Sequence, residues 1–511
     1  MSVLDDLPRG VPGREANEQE PPASEWADPD GVMRSPAYKH DGSKVLLGVL
    51  GGHVNDDGRE YYVTGGSRVG IGDDRHVLLC AGSRAGKGRS CLIPTMLEYQ
   101  GPVLALDPKG ELADITARRR AELGQRVCIV DPFHTVKRNT LQTMRVGFNP
   151  MAFLRADSPS LIEDAGLIAD ALVPPESHEP HWDDSARTLV EGLLLHVATY
   201  GAYEGQRNLA TVRDLLMKGT TFAGPDGATE GMEGLGLELA DNADGLNATR
   251  EDVAEVIDGA MNDFFDRPPN ERGGVLSTAR RHTKFLDYPP IRASVSQHGF
   301  DLTQLKTQAN GLTVYVCLPA GRMATCSRWF RLFVNLALEA MEREPTKPKI
   351  PVLAVLEEFH VLGHMRQLEI GAGLVAGFGM KLLIVLQDLT QLKRHYKEGW
   401  ETFLGNAGVM MFFGNSDLTT LEFISKRCGQ TSLEVERGSF MRTKDRASGG
   451  RSDSWSLEVK DLITPEEASR FFGRDDYEQR ALIIRGGSPP LIVQRVKYDR
   501  HEFFKGKWDG D

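Results

Sequence analysis

The 511-residue sequence has no CxxC pair and no group of Cys and His at metal-ligand spacing. Its six cysteines, Cys80, Cys91, Cys128, Cys317, Cys326 and Cys428, are scattered through mostly apolar runs. That pattern excludes a disulfide scaffold and a zinc module and predicts buried free thiols in a reducing compartment. Net positive charge is missing too. Lys and Arg number 60 against 72 Asp and Glu, a formal −12, so no global field draws nucleic acid to the whole surface and any DNA contact must be local. Long hydrophobic runs are also missing. The longest, at 374–386 (LVAGFGMKLLIVL), carries Lys381 at its centre and falls short of the about 20 apolar residues a spanning helix needs. The N-terminal stretch is acidic and Pro-rich instead of basic and then apolar, so neither a signal peptide nor a transmembrane anchor is expected.

What remains is the profile of a folded protein, 40% hydrophobic, 26% charged and 7% aromatic, and long enough for more than one domain. Residues 1–40 combine Pro, Glu, Asp and Ser with few large apolar side chains and read as a disordered tail. From 41 to 154, short apolar runs (HVLLCAG, PVLALDP, RVCIVDPF) alternate with helix-like stretches, the signature of βαβ units and a parallel sheet. Residues 155–300 turn to helical periodicity, as in LIEDAGLIADAL and EDVAEVIDGAMNDFF. The β runs return in 301–511 as GLTVYVCLP, VLAVLEEF, KLLIVLQD, GVMMFFGN and RALIIRG. The expected fold is α/β, a nucleotide-binding core in two sequence parts around an inserted all-α domain. Two low-complexity segments, 224–236 and 437–456, are expected to be surface loops.

The strongest motif is HVLLCAGSRAGKGRS, in which a β run passes through a Gly-rich turn into a helix-like stretch. This is the context of a P-loop. Small residues let the backbone of Gly82, Ser83, Arg84, Ala85, Gly86, Lys87, Gly88 and Arg89 wrap around phosphates, while the helix N-terminus and Lys87 supply positive charge. Ala81 stands where the consensus has its first Gly, and Gly88 where a Ser or Thr hydroxyl meets Mg²⁺; Ser90 or a water is left to substitute. A second strand-like run ends in Glu357-Glu358. Carboxylates at such a tip can hold Mg²⁺ and activate a water toward a γ-phosphate, although a pair of solvated turn residues would look the same. A third ends in Gln387, which can hydrogen-bond the γ-phosphate or simply close a strand with a polar residue.

Three segments, GSRAGKGRSCLIPTMLEYQGPVLALDPKGELADITARRR, VLEEFHVLG and KLLIVLQDLTQLKRHY followed by FLGNAGVMMFFGNSDLTTLEFISKRCGQ, resemble the conjugative coupling proteins of type IV secretion. The similarity runs over roughly 60–500, and LALDPKGEL is particularly specific. The resemblance implies a RecA-like hexameric motor with ATP and Mg²⁺ at subunit interfaces. It also implies a helical domain that reads DNA or relaxase-type protein substrates, and secretion-channel partners. Carried over, Lys87 is the phosphate lysine, Glu357 the Mg²⁺ carboxylate, Glu358 the catalytic base and Gln387 the γ-phosphate sensor. The chain departs from the family in two ways: the usual transmembrane hairpin is not visible, and Glu357 replaces the usual Asp. The expected location is therefore the cytoplasm, with any inner-membrane contact made through a partner.

Arg437, Arg442, Lys444, Arg446 and Arg451 could form a sequence-blind phosphate contact or a solvated loop, and Arg427 could act in trans or lie idle on the surface. The expected function is an ATP-driven translocase that moves DNA or DNA–protein substrates toward a secretion channel. An intracellular DNA-processing or defence ATPase, and a nucleotide-gated adaptor with little turnover, are the alternatives.

Overall fold

The computed structural model describes residues 23–175, 180–218, 231–371, 373–440 and 451–510. Fifteen strands are formed there: β1 (Gly48–Leu50), β2 (His53–Asp56), β3 (Tyr61–Thr64), β4 (Ser67–Val69), β5 (His76–Ala81), β6 (Val103–Asp107), β7 (Arg126–Val130), β8 (Leu312–Cys317), β9 (Val352–Leu356), β10 (Met380–Leu386), β11 (Ala407–Phe413), β12 (Gln430–Phe440), β13 (Arg451–Asp461), β14 (Arg480–Ile484) and β15 (Leu491–Gln494). Eleven of them make one sheet in the order β4-β1-β15-β14-β11-β5-β10-β9-β6-β8-β7. From β11 to β7 every pairing is parallel, and from β14 outward every pairing is antiparallel.

The central strands are apolar at nearly every position because both faces of the sheet are covered. Along β5, Leu78 and Cys80 enter one buried cluster, while Val77, Leu79 and Ala81 enter the other. The first cluster holds the helical part of the chain; the second holds the helix that follows β5, the helix Glu111–Glu122, Val32, the stretch Val45–Leu50, Val496 and Phe504. The run at 374–386 ends in β10, and Lys381 at its centre is buried, with its ammonium group on the Asp73 carbonyl.

Helices Leu161–Leu172, Pro180–Thr199, Leu209–Leu216, Gly231–Leu246, Glu251–Phe265 and Pro269–His282 all lie between β7 and β8 in sequence. Those two strands are hydrogen-bonded neighbours, so the helical region is an excursion out of the sheet and back. Helix Met323–Arg343 leans on it, and the Arg343 guanidinium grips the buried Asp164 carboxylate.

The structure differs from the expected loops and tail in three places. Residues 23–40 are ordered on the body. Asp28 caps helix Pro29–Arg34 by accepting from the N–H groups of Asp30 and Gly31, Val32 is buried, and Ala23 and Lys39 form bridges to Thr431 and Val69. Backbone pairing and one buried valine suffice where side-chain composition offered little. Of the segment expected as a basic loop, residues 437–440 and 451–456 are strand, part of an antiparallel ladder unbroken from Gln430↔Asp461 to Phe440↔Arg451. Arg437 and Arg451 lie in its strands, while Arg442, Lys444 and Arg446 fall outside the described residues. Residues 231–236 of the expected Gly-rich loop open a helix.

Candidate active site

β5 ends at Ala81, and the chain then turns tightly. The Ala85 N–H donates to the Gly82 carbonyl, Arg84 has φ 57° and Gly86 has φ 88°. The loop is seated on the tip of β11, where the Gly82 N–H donates to Phe413 O at 3.2 Å. A Cβ on Gly82 would lie 1.9 Å from the Gly414 carbonyl oxygen, so only glycine permits this approach. The first turn beyond the loop, Gly88–Leu92, is π-helical before the α-helix Ile93–Glu98. Pro94 lacks the N–H that a regular turn would use, which accounts for the widened turn.

Behind the loop lies a cation that sequence reasoning passed over. Arg495, nearly fully buried, donates to the carbonyls of Ala85 (3.1 Å), Gly473 (3.3 Å), Gln479 (3.3 Å) and Arg474 (3.4 Å). Burial pulls it down to about 10, still leaving it charged at neutral pH. It ties the P-loop to the C-terminal segment and adds positive potential beneath the cradle. Nothing in its local sequence distinguishes it from a surface arginine.

In front of the loop, three of the expected residues meet. Lys87 Nζ lies 3.7 Å from Glu358 Oε1, Gln387 Nε2 donates to Glu358 Oε2 at 3.3 Å, and His360 Nδ1 is 3.3 Å from the same Oε2. Glu358 has φ 55°, ψ 46°, a left-handed conformation that costs a non-glycine residue about 1–2 kcal/mol and gathers at functional sites. Gln387 is held in turn: its N–H donates to Gln391 Oε1, and its carbonyl accepts from Asn415 Nδ2.

Glu357 points into the interior. Burial and the adjacent Asp107 carboxylate push it up to about 8, against the pull of Lys109 and Lys87. Asp107 ends β6, whose Leu106 is in register with Leu356 of β9. Burial pushes it up to about 7; its Oδ2 accepts from the Ala113 N–H, and its Oδ1 has no hydrogen-bond partner among the described residues. Two desolvated carboxylates with an orphaned oxygen suit a divalent cation. The strand-tip position of Asp107 in LALDPKGEL was visible in the sequence, although its pairing with Glu357 was not.

Arg89 goes elsewhere. Its guanidinium makes four hydrogen bonds of 2.6–2.7 Å to Glu60 and Asp499. Ser90 lines a cleft on that same side. Arg427 is exposed on helix Leu418–Cys428, 6.0 Å from the Phe423 ring centroid.

A Gly-rich turn between a central parallel strand and a helix, with Lys87 facing strand-tip Glu358 and Gln387, defines a P-loop nucleoside-triphosphatase fold of RecA-like build. The chain belongs to the family described as type IV secretory system conjugative DNA transfer, whose model matches residues 26–508. It is 27% identical over 484 residues to the conjugal transfer protein TraG of Escherichia coli, covering 90% of this chain and 71% of that protein. It is 28% identical over 438 residues to the coupling protein VirD4 of Bartonella quintana, covering 84% and 63%. Among solved structures, the fold is similar to that of the conjugative coupling protein TrwB. The sulphate complex aligns at TM-score 0.61 and 16% identity, covering 93% of this chain and 97% of that one. The ADP and Mg²⁺ complex aligns at 0.57 and 17%, covering 83% and 85%. Among the described residues, no helix is long and apolar enough to cross a membrane.

Proposed function

We propose that this chain is an ATP-driven coupling protein that recruits DNA, or a relaxase-type protein bound to it, and moves it toward a secretion channel. The observation that carries the reading is the meeting of Lys87, Glu358 and Gln387 in front of the P-loop, within a chain of the conjugative-transfer family. Lys87 and the loop N–H groups hold the β and γ phosphates. Glu358 accepts the proton of the attacking water, and Gln387 reports the presence of the γ-phosphate to the strand end it closes. Glu357, with Asp107 beside it, would hold Mg²⁺, and the ion would supply charge neutralisation for the phosphates. Gly82, Ser83, Arg84, Ala85, Gly86 and Gly88 shape the cradle, and Arg89 fixes its helix. We place the motor on the cytoplasmic side, in keeping with six buried, unpaired cysteines, as a hexamer whose Arg427 reaches a neighbour's nucleotide.

The test is steady-state phosphate release with and without single- and double-stranded DNA. Wild type should turn over ATP faster with DNA. Lys87→Ala should lose nucleotide binding while keeping its unfolding midpoint, because Glu358 retains Gln387 and His360 beside it. Glu358→Gln should bind ATP and lose at least about a hundredfold in turnover, since an amide cannot take the proton. ATP binding without turnover in wild type would replace the motor with a nucleotide-gated adaptor.

A further inference from the structure

We propose that the cleft at the tips of β5, β10 and β11 binds a monovalent metal ion of the size of K⁺, held by oxygens of Asn415, Asp388 and Asp417. The site is separate from the pair Glu357 and Asp107. Those two stand at the ends of β9 and β6, whereas this cleft lies on the other side of Gln387, toward β11. It measures about 420 Å³ and includes Gly82 and Ser83 of the P-loop, so an ion held there lies beside a bound triphosphate. The ion site stands on the cleft itself; its effect on ATP rests on the P-loop reading above.

Three oxygens on the walls lack a counterpart. Asn415 is only 6% exposed, and its Nδ2 donates to the Gln387 carbonyl at 3.2 Å and to Cys80 Sγ at 3.4 Å. Its Oδ1, also shielded from solvent, has no hydrogen-bond partner among the described residues and is the branch left for the cleft that Asn415 lines. Buried carbonyl oxygens are nearly always satisfied, so such an orphan marks a missing ligand. Asp388 and Asp417 each spend Oδ1 on the chain. Asp388 accepts from Thr390 Oγ1 and the Gln391 N–H, and Asp417 caps helix Leu418–Cys428 through the Thr420 N–H. Oδ2 of each remains for a ligand. Both carboxylates converge on the end of β5: after burial, Asp417 and then Asp388 push up the Cys80 thiol beneath them. Arg474 brings a guanidinium to the wall, but Asp475 holds it at 2.8 Å.

The oxygen set selects the ion. An amide carbonyl, the nearby hydroxyls of Ser83 and Ser416 and two carboxylates already hydrogen-bonded to the chain offer many donors in an open, irregular arrangement. Mg²⁺ demands near-ideal octahedral geometry and gives up its water reluctantly. A larger monovalent ion exchanges water for such oxygens readily. The charge balance points the same way. Lys87, Glu358 and Gln387 place the γ-phosphate next to this cleft, where Asp388 and Asp417 would repel it unless a cation lay between them.

The experiment uses the full chain at fixed ionic strength in KCl, NaCl, LiCl or N-methylglucamine chloride. Without nucleotide, wild type should unfold about 1–3 °C higher in KCl than in the glucamine salt, with LiCl nearest the latter. Calorimetric titration should show ATP binding about fivefold or more tighter in KCl. The double variant Asp388→Asn with Asp417→Asn keeps both Oδ1 acceptors. Its midpoint should not depend on the salt, and in the glucamine salt it should bind ATP as tightly as wild type does in KCl, because the repulsion leaves with the charges. Weaker ATP binding by the double variant in every salt would mark the two carboxylates as structural and overturn the proposal. Equal wild-type midpoints in all four salts, or a salt difference that survives in the double variant, would overturn it too. Salt-independent midpoints together with lost self-association in the double variant would replace the ion with a cationic side chain of a second copy. A wild type that responds to K⁺ but binds no ATP would bring down the P-loop reading and leave the cation site standing.

Discussion

Two side chains show how burial decides chemistry that residue type leaves open. Glu357 and Glu358 are neighbours, yet one turns inward beside Asp107 and the other, in a left-handed conformation, faces Lys87 and Gln387. Acid sensitivity comes from a different kind of residue. His196 is fully buried on helix Pro180–Thr199, stacks on Tyr200 and has an Nε2 with no partner among the described residues. Burial pulls it from 6.5 down to about 4. The unfolded chain therefore takes up this proton from pH 6.5 downward while the folded chain resists it. Stability is full above pH 6.5 and is lost as pH falls toward 4, by about 2 kcal/mol between pH 7 and 5 for this one group. His40, also buried and pulled to about 4, acts in the same direction. In His196→Phe, urea unfolding at pH 7 and pH 5 should show a loss smaller by about 2 kcal/mol than in wild type; an unchanged loss would mean that this imidazole is not the one resisting protonation.

At the scale of elements, the site depends on how closely the P-loop lies on the tip of β11. That contact is made of backbone, with Gly82 directly against the Gly414 carbonyl. Because backbone cannot swing aside as a side chain can, Gly82→Ala should cost about 2 kcal/mol or more and lift the loop from its seat. Thermal unfolding should report the first effect and nucleotide titration the second. A variant with wild-type stability and affinity would mean that the loop has room to spare. The hairpin β2–β3 and the stretch after β15 bear on the loop from its other side, joined to its helix through Arg89.

For the whole molecule, the reactive groups sit at strand tips near the surface, and Arg427 stands exposed. A second copy is the natural source of groups that cover such a site, and closed symmetric rings are the usual way identical chains arrange this. Light scattering should show the 56.4 kDa chain shift to about six times its mass on adding a non-hydrolysable ATP analogue. Arg427→Ala should leave analogue binding intact and reduce turnover. A chain that stays monomeric with the analogue bound would remove the ring from the proposal.

Read without coordinates, the chain already showed its α/β class and the positions of β5 through β11 and β14, and it offered Lys87, Glu358 and Gln387 as candidates that the family resemblance joined. Such features are local: an apolar run of five to seven residues ending in a charged or amide residue is legible wherever it occurs in sequence. The ordered segment at 23–40 and the β12–β13 ladder were not legible, because backbone pairing leaves little mark on composition. Nor were Asp107 beside Glu357, Arg495 beneath the loop, or the capture of Arg89 by Glu60 and Asp499. Each of those joins residues far apart in the chain, up to 410 positions for Arg89 and Asp499. Strand order and the docking of the segment after β15 decide such neighbours, and only the folded sheet sets them.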